Sequence, residues 1–321
     1  MLMKKKIPIL LLTNDRPNML EKVLTRVMKY TNWNEFDLWI LDNFSTKANK
    51  KIVNLFKANF PFINVFSTAY NQLSIIQNEV IKHLRSDIYI KMDDDILVSE
   101  NWTTPLVEVY NRNYSAMSYG SVVIPVNSFG WVPFLEIMNY KEEFVQLFPD
   151  VKLEQNGTDA AVFFNKDVNE YIWNKCIDID STASQFIANQ NGNYKDLVCP
   201  HKYSIGAIIF SHKTWEDMGG WQVEDGYDKV LKKQKRYQSF ANTIKNFTDP
   251  AYKGQYTRMN LLADVFSGAN RSELGHDEHG IFEYSKRKGL SIPVTTQGIV
   301  FHFSYGPVDQ HLMNKIYLKL H

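Results

Sequence analysis

Four short apolar runs in the first hundred residues, separated by polar turns and segments of helical period, most narrow what this chain can fold into. Ile7 to Leu12 is the first run, closed by Asn14-Asp15-Arg16-Pro17. Met19-Leu20, Val23-Leu24 and Val27-Met28 then recur at the spacing of one helical face. Phe36 to Leu41 is the second run, closed by Asp42-Asn43-Phe44-Ser45, after which Ile52, Val53, Leu55 and Phe56 supply another helical face. Ile63 to Phe66 reads as a third strand, Leu73 to Leu84 as a third helix, and Ile88 to Met92 as a fourth strand that runs into Asp93, Asp94 and Asp95. Strands that alternate with helices pair in parallel and are covered on both faces, so the fold class is α/β with a mostly parallel central sheet flanked by helices. In such sheets ligands bind beyond the carboxyl ends of the strands, and the polar clusters here follow strands.

The alternation divides the chain into three stretches. It holds over 1–125 and resumes over 201–321, with a strand from Tyr203 to Phe210 and a helix near Lys213 to Met218 closed by Gly219-Gly220. Between them, 126–200 is rich in aromatic residues (Phe129, Trp131, Phe134, Phe163, Phe164, Trp173) and weak in periodicity. It reads either as packed surface elements or as an irregular, acceptor-binding insertion.

Composition excludes more than it selects. A formal net charge of +1 points to neither a strongly basic nor an acidic partner. Two cysteines, Cys176 and Cys199, make no disulfide framework and no zinc pair, which suits a reducing, cytoplasmic setting. The basic start and apolar run at Met1 to Thr13 are too short to span a bilayer, and no small-residue cleavage site follows, so the run reads as a buried first strand. No stretch approaches the roughly 20 apolar residues of a spanning helix, leaving peripheral membrane contact as the membrane role open to it.

Three consecutive carboxylates at a strand end repel one another unless water or a cation neutralises them. Successive strand residues point to opposite faces, so Asp93 and Asp95 face one site while Asp94 faces away. All-oxygen ligands suit Mg²⁺ or Mn²⁺ rather than zinc. Taken alone, the run is equally consistent with a solvated acidic turn.

The order of the surrounding motifs resembles that of glycosyltransferase family 2, a family of GT-A type fold. Leu12-Thr13-Asn14-Asp15-Arg16-Pro17 resembles the opening strand and nucleotide-binding turn of that family. Leu41-Asp42-Asn43-Phe44-Ser45-Thr46 resembles its second strand end, and Ala69-Tyr70-Asn71-Gln72 with Asn78 resembles its Asn-rich segment. Tyr89 to Asp95 resembles the strand that carries its acidic DXD-type motif. The resemblance implies nucleotide-sugar contacts from Thr13, Asn14, Arg16, Asp42, Asn71, Asn78, Asp93 and Asp94, with Asp42 at the nucleobase. It makes 1–125 the nucleotide-sugar half and 201–321 the acceptor and catalytic half. Two departures bear on base recognition: Asn14 stands where an aromatic residue is frequent, and Phe44 where a small residue is usual.

The second half resembles the acceptor side of the same family. Ser204 to Phe210 followed by Trp215 to Trp221 resembles its glycine-containing strand and Gly-Gly-aromatic turn, although Gly219-Gly220 also reads as a helix C-cap. Gly275-His276-Asp277-Glu278-His279-Gly280 falls where the family places a catalytic acid motif, which implies Asp277 as general base with Glu278 as the neighbouring candidate. The same residues also suit a helix cap or a His-containing metal cluster. Gly298 to His302 is an apolar strand ending in a histidine, and the resemblance makes His302 a third metal ligand beside Asp93 and Asp95. Lys229, Lys232, Lys233, Lys235, Arg236 and Lys245 form a basic run that reads as a solvated helix face, or as a contact for phosphate, membrane or nucleic acid.

These implications converge on a hexosyl- or pentosyltransferase using Mn²⁺ or Mg²⁺. It would move sugar from a nucleotide-diphosphate donor to a hydroxyl acceptor with inversion. A glycan ranks ahead of a hydroxylated DNA base as acceptor. The competing readings are a sugar-phosphate nucleotidylyltransferase and a non-catalytic glycan- or nucleotide-binding protein. The first would carry a glycine-rich loop after its first strand, and Thr13 to Asn18 contains no glycine.

Overall fold

The computed structural model describes residues 6–68, 73–155, 160–221, 277–303 and 310–320. Its strands are β1 (Ile7–Thr13), β2 (Phe36–Asn43), β3 (Asn64–Thr68), β4 (Ile88–Asp93), β5 (Ile96–Leu97), β6 (Tyr119–Val123), β7 (Asp196–Val198), β8 (Ala207–Ser211), β9 (Pro293–Ile299) and β10 (Phe301–His302). Eight of them form one sheet in the order β3-β2-β1-β4-β8-β6-β9-β7, and β10 pairs with β5 in a second, two-stranded sheet. The pairs β1–β2, β1–β4, β2–β3 and β6–β9 are parallel, while β7 runs antiparallel to β9. The α/β reading with a mostly parallel sheet is therefore borne out.

The chain divides into two compact units, the first made of Met1–Leu24, Asn32–Asp94 and Phe210–Arg287. Within it, Ile9, Leu10 and Leu11 of β1 and Leu38, Ile40 and Leu41 of β2 are at most 1% exposed, as expected of strands covered on both faces. Helix α1 (Pro17–Tyr30) starts at Pro17, whose fixed φ suits a first helical position, and buries Leu20, Val23, Leu24 and Val27. Helix α2 (Lys47–Asn59) is capped by Thr46, whose side chain accepts from Asn49 N. Helix α3 (Leu73–Leu84) buries Ile76, Val80 and Ile81.

The second unit comprises Thr25–Thr31, Asp95–Ile209 and Lys288–His321. After α4 (Thr103–Asn113) and β6, the described residues of the aromatic-rich segment form five short helices: α5 (Trp131–Ile137), α6 (Lys141–Leu147), α7 (Ala161–Phe164), α8 (Lys166–Asn174) and α9 (Ile179–Ala188). Trp131, Phe134, Phe144, Trp173 and Phe186 are the large aromatic residues among those they bury. Asn165 and Asp178 cap α8 and α9 with their side chains. Periodicity is weak here because a window long enough to reveal a helical face spans more than one of these helices.

Two expected strands are shorter than the sequence implies. The run from Tyr203 to Phe210 becomes a strand only at Ala207. Tyr203 is instead fixed by its hydroxyl, which donates to Val122 O at 2.8 Å and accepts from Ile124 N at 3.0 Å. The run from Gly298 to His302 divides at Val300. The β6–β9 register shifts between Val122 and Val123, Val300 N donates to Val123 O, and the chain then leaves β9 to pair with β5 as β10. Helices α10 (His212–Asp217), α11 (Asp277–Lys288) and α12 (Gln310–Lys319) complete the described elements. Among the described residues no helix is long and apolar enough to cross a membrane.

Candidate active site

In the first unit, parallel register aligns three strand ends: Leu12 lies opposite Asp93 and Thr13 opposite Asp42. The ends of β1 and β4 are tied through Asp94. Thr13 Oγ1 donates to Asp94 Oδ2 at 2.7 Å, and Asn49 Nδ2 donates to the same Thr13 oxygen at 2.7 Å. The backbone N of Asn14 lies 3.4 Å from Asp94 Oδ2, and an Arg16 guanidinium nitrogen lies 3.6 Å from Oδ1. Thr13, Asn14, Arg16 and Asp94 are thus brought together, with the Asp94 carboxylate turned toward the end of β1.

Asp42 shapes its own turn. Its Oδ1 accepts from Ser45 N at 2.8 Å, its Oδ2 from Ser67 Oγ at 3.2 Å, and Lys50 Nζ lies 3.8 Å from Oδ2. Phe44 between them has φ 56°, in the left-handed region that disfavours a bulky side chain, so these bonds hold a strained residue in place. Asn14 closes the turn from the other side: its Nδ2 donates to Asn43 O, and Thr46 N donates to Asn14 O at 3.0 Å.

Asp93, Asp95 and His302 form a separate cluster whose ligand atoms all lie within 4.8 Å of one another. The β5–β10 pairing accounts for it, because His302 lies opposite Ile96 and Phe303 N donates to Asp95 O at 2.8 Å. His302 Nε2 lies 3.3 Å from Asp95 Oδ1, and Ser204 Oγ lies 3.4 Å from His302 Nδ1 on the other side of the ring. Gly206 adjoins this ring, and a Cβ there would come within 2.8 Å of Ile96 Cδ1, so a larger residue would push into the cluster's support. Two carboxylates and an imidazole, with Asp95 nearly buried, form a donor set suited to Mn²⁺ and, with more water in the shell, to Mg²⁺. The cluster contains the three residues that the sequence offers as metal ligands.

Asn78 is placed elsewhere. Its Oδ1 accepts from Trp215 Nε1 at 2.9 Å and from Trp221 N at 2.8 Å, while its Nδ2 donates to Trp221 O at 2.9 Å. It therefore holds the Gly219-Gly220 turn, where both glycines have φ near 80° and a Cβ on Gly220 would come within 2.9 Å of Asn78 Oδ1. Asn71, His276 and the basic run from Lys229 to Lys245 lie outside the described residues. Asp277 and Glu278 open α11, and only their backbone is described. Both cysteines are buried, and burial pushes the Cys199 thiol up to about 12 and raises that of Cys176, so neither offers a thiolate nucleophile.

Sequence reasoning passed over Lys91, Asn49 and Ser204. Lys91 carried a signal, being a charged residue in an apolar strand two positions before Asp93. Asn49 carried none and Ser204 only its place at the start of the run to Phe210, because their partners, Thr13 and His302, are distant in sequence.

The profile of the family described as Glycosyl transferase family 2 matches residues 9–173, just over half of the chain. No curated protein matches. Among solved structures, the chain resembles the mannosyltransferase PcManGT from Pyrobaculum calidifontis in complex with GDP-Man and Mn²⁺, at 11% identity and a TM-score of 0.41, over 88% of this chain and 75% of that one. It also resembles GalNAc-T7 with UDP, GalNAc and Mn²⁺, at 11% identity and a TM-score of 0.43, over 92% of this chain and 43% of that one. S. aureus TarS 1-349 in complex with UDP-GlcNAc is similar at 13% identity and a TM-score of 0.33, over 37% of this chain and 34% of that one.

Proposed function

The chain belongs to glycosyl transferase family 2, and from that premise we propose that it transfers a sugar from a nucleotide-diphosphate donor to a hydroxyl acceptor, with a divalent cation held by Asp93, Asp95 and His302. The observation that carries this reading is the convergence of these three side chains within 4.8 Å, with Asp93 closing β4. Neither a solvated acidic turn nor a nucleotide-binding module needs a histidine brought from a strand two hundred residues away.

When bound, Mn²⁺ or Mg²⁺ at the cluster screens the negative charge that collects on the departing diphosphate. Asp95 and His302 set the cluster's geometry, the ring being held between Asp95 and Ser204. Thr13, Asn14, Arg16 and Asp42 form the nucleotide corner, with Asn71 and Asn78 as further contacts implied by resemblance. Given its bonds, Asn78 would act through the Gly219-Gly220 turn. Asp277 accepts the proton from the acceptor hydroxyl as that oxygen bonds to the anomeric carbon. The bond from that carbon to the diphosphate breaks with its electron pair leaving on the phosphate, and attack from the opposite face inverts the centre. Glu278 is the alternative proton acceptor. A glycan hydroxyl is the preferred acceptor, and a hydroxylated DNA base is the one the basic run would suit.

The test is a screen of UDP- and GDP-sugars for Mn²⁺-dependent donor hydrolysis, followed by acceptor trials with the best donor. Turnover that appears with Mn²⁺, vanishes with chelator and is lost in Asp95→Ala supports the assignment. Tight nucleotide binding without turnover of any donor would make the chain a binding protein.

A further inference from the structure

Lys91 is the unexplained charge of the site. Its side chain is 2% exposed inside β4, and its Nζ lies 2.8 Å from Asp93 Oδ1. A buried ammonium is unfavourable without a counter-charge, and Asp93 supplies one from the same strand face two residues on. The need is not mutual. The Asp93 side chain is 30% exposed, so water alone could solvate it. An apolar residue at position 91 would suit the strand, as Tyr89, Ile90 and Met92 do. The lysine therefore places a fixed positive charge against a carboxylate of the proposed cation cluster.

That charge alters what the cluster attracts. Lys91 at Asp93 and Arg16 at Asp94 each set a positive charge against this acidic run. Removing Lys91 removes one of them from beside a cluster carboxylate. Affinity for a divalent cation rises with the ligand charge available to it, and a nearby ammonium repels the ion directly. A donor diphosphate arriving beside the cluster supplies negative charge that offsets the ammonium.

We propose that Lys91 weakens the affinity of the Asp93–Asp95–His302 cluster for a free divalent cation and so couples cation loading to the arrival of the nucleotide diphosphate. The inference rests on the cation site proposed above. Lys91 acts through Asp93 and not on the reacting atoms.

The experiment is a Mn²⁺ titration of the full chain followed by the electron paramagnetic resonance signal of free Mn²⁺, alone and with UDP or GDP, corrected for Mn²⁺ held by nucleotide without protein. Wild type should bind Mn²⁺ weakly alone and at least about tenfold more tightly with nucleotide. Lys91→Met and Lys91→Gln should bind Mn²⁺ alone at least about tenfold more tightly than wild type, with a smaller gain from nucleotide. Variants that melt like wild type yet bind Mn²⁺ no more tightly would overturn the inference. So would wild type binding Mn²⁺ equally well with and without nucleotide, a result that requires no variant to fold. Asp95→Ala separates the two readings. If it loses Mn²⁺ binding while the Lys91 variants change nothing, the cation site stands and the coupling falls. If wild type takes up no Mn²⁺ under either condition, both fall.

Discussion

Two strand ends of the same sheet carry carboxylates into the zone where parallel sheets bind ligands, and they use them differently. At the end of β2, Asp42 is bonded by Ser45 N and Ser67 Oγ within its own surroundings and holds Phe44 at positive φ. At the end of β4, Asp93 and Asp95 converge with His302, a residue from the far end of the chain. Position beyond a strand end puts a carboxylate where it can act, but its partners decide its role: backbone N–H groups and hydroxyls make a turn, whereas a second carboxylate and an imidazole offer the donor set proposed here for a cation. Asp94 belongs to the first kind although it sits between two of the second, because in the turn between β4 and β5 its carboxylate accepts from Thr13 Oγ1 and lies beside Arg16.

Substitutions that exchange these roles are the sharpest way to break the contrast. The largest effect is expected for Asp95→Ala. It should reduce Mn²⁺-dependent turnover by at least about 10³-fold, because it removes a nearly buried oxygen ligand and the charge stabilisation that depends on it. Melting should stay close to wild type, since adjacent acidic repulsion is relieved. Retained turnover at saturating Mn²⁺ would place the cation elsewhere.

Next is Asp277→Asn, which keeps size and most capping ability. It should lower transfer by about 10²–10⁴-fold while leaving donor and Mn²⁺ binding intact. Glu278→Gln should do much less. The reverse ranking moves the base by one residue, and near-normal transfer by both argues against inversion run from the start of α11.

His302→Ala should weaken Mn²⁺ binding by at least about 10–100-fold, the loss known for removing only a ligand's hydrogen-bonded partner, with nucleotide affinity in the absence of metal unchanged. Calorimetry resolves the two. A loss of nucleotide affinity alone would make His302 a nucleotide contact.

The smallest expected effect on chemistry, and a visible one on stability, belongs to Asp42→Ala. Leaving Ser45 N and Ser67 Oγ without their acceptor should cost about 1–3 kcal/mol in denaturant unfolding. Nucleotide binding should weaken as the turn relaxes, with Mn²⁺ affinity unaltered. A variant as stable as wild type would show that the turn does not depend on this carboxylate.

The same contrast explains what could be read from the sequence. The strand ends were legible because apolar runs stop at polar clusters, and the acidic run and His302 each close such a run. Partners were not legible. Nothing local to Asn78 says that its amide meets Trp215 and Trp221, and nothing local to Asp42 says that Ser67 completes its turn. The break at Val300 was hidden for a related reason. Gly298 to Phe301 is apolar throughout, and only the change of partner from β6 to β5 divides the run. The helices from Trp131 to Ala188 are not legible because each is shorter than the window over which a period is read, although their buried aromatics are visible as composition.

The central claim, that Asp93, Asp95 and His302 hold the cation a glycosyltransferase needs, is tested most directly by measuring Mn²⁺ binding and nucleotide-sugar turnover on the same preparations of wild type and Asp95→Ala. The account predicts that wild type binds Mn²⁺ in the presence of UDP or GDP and turns over a matching nucleotide sugar, and that Asp95→Ala loses both while melting normally. Wild-type turnover that persists after chelation, at a rate Asp95→Ala reproduces, would contradict it.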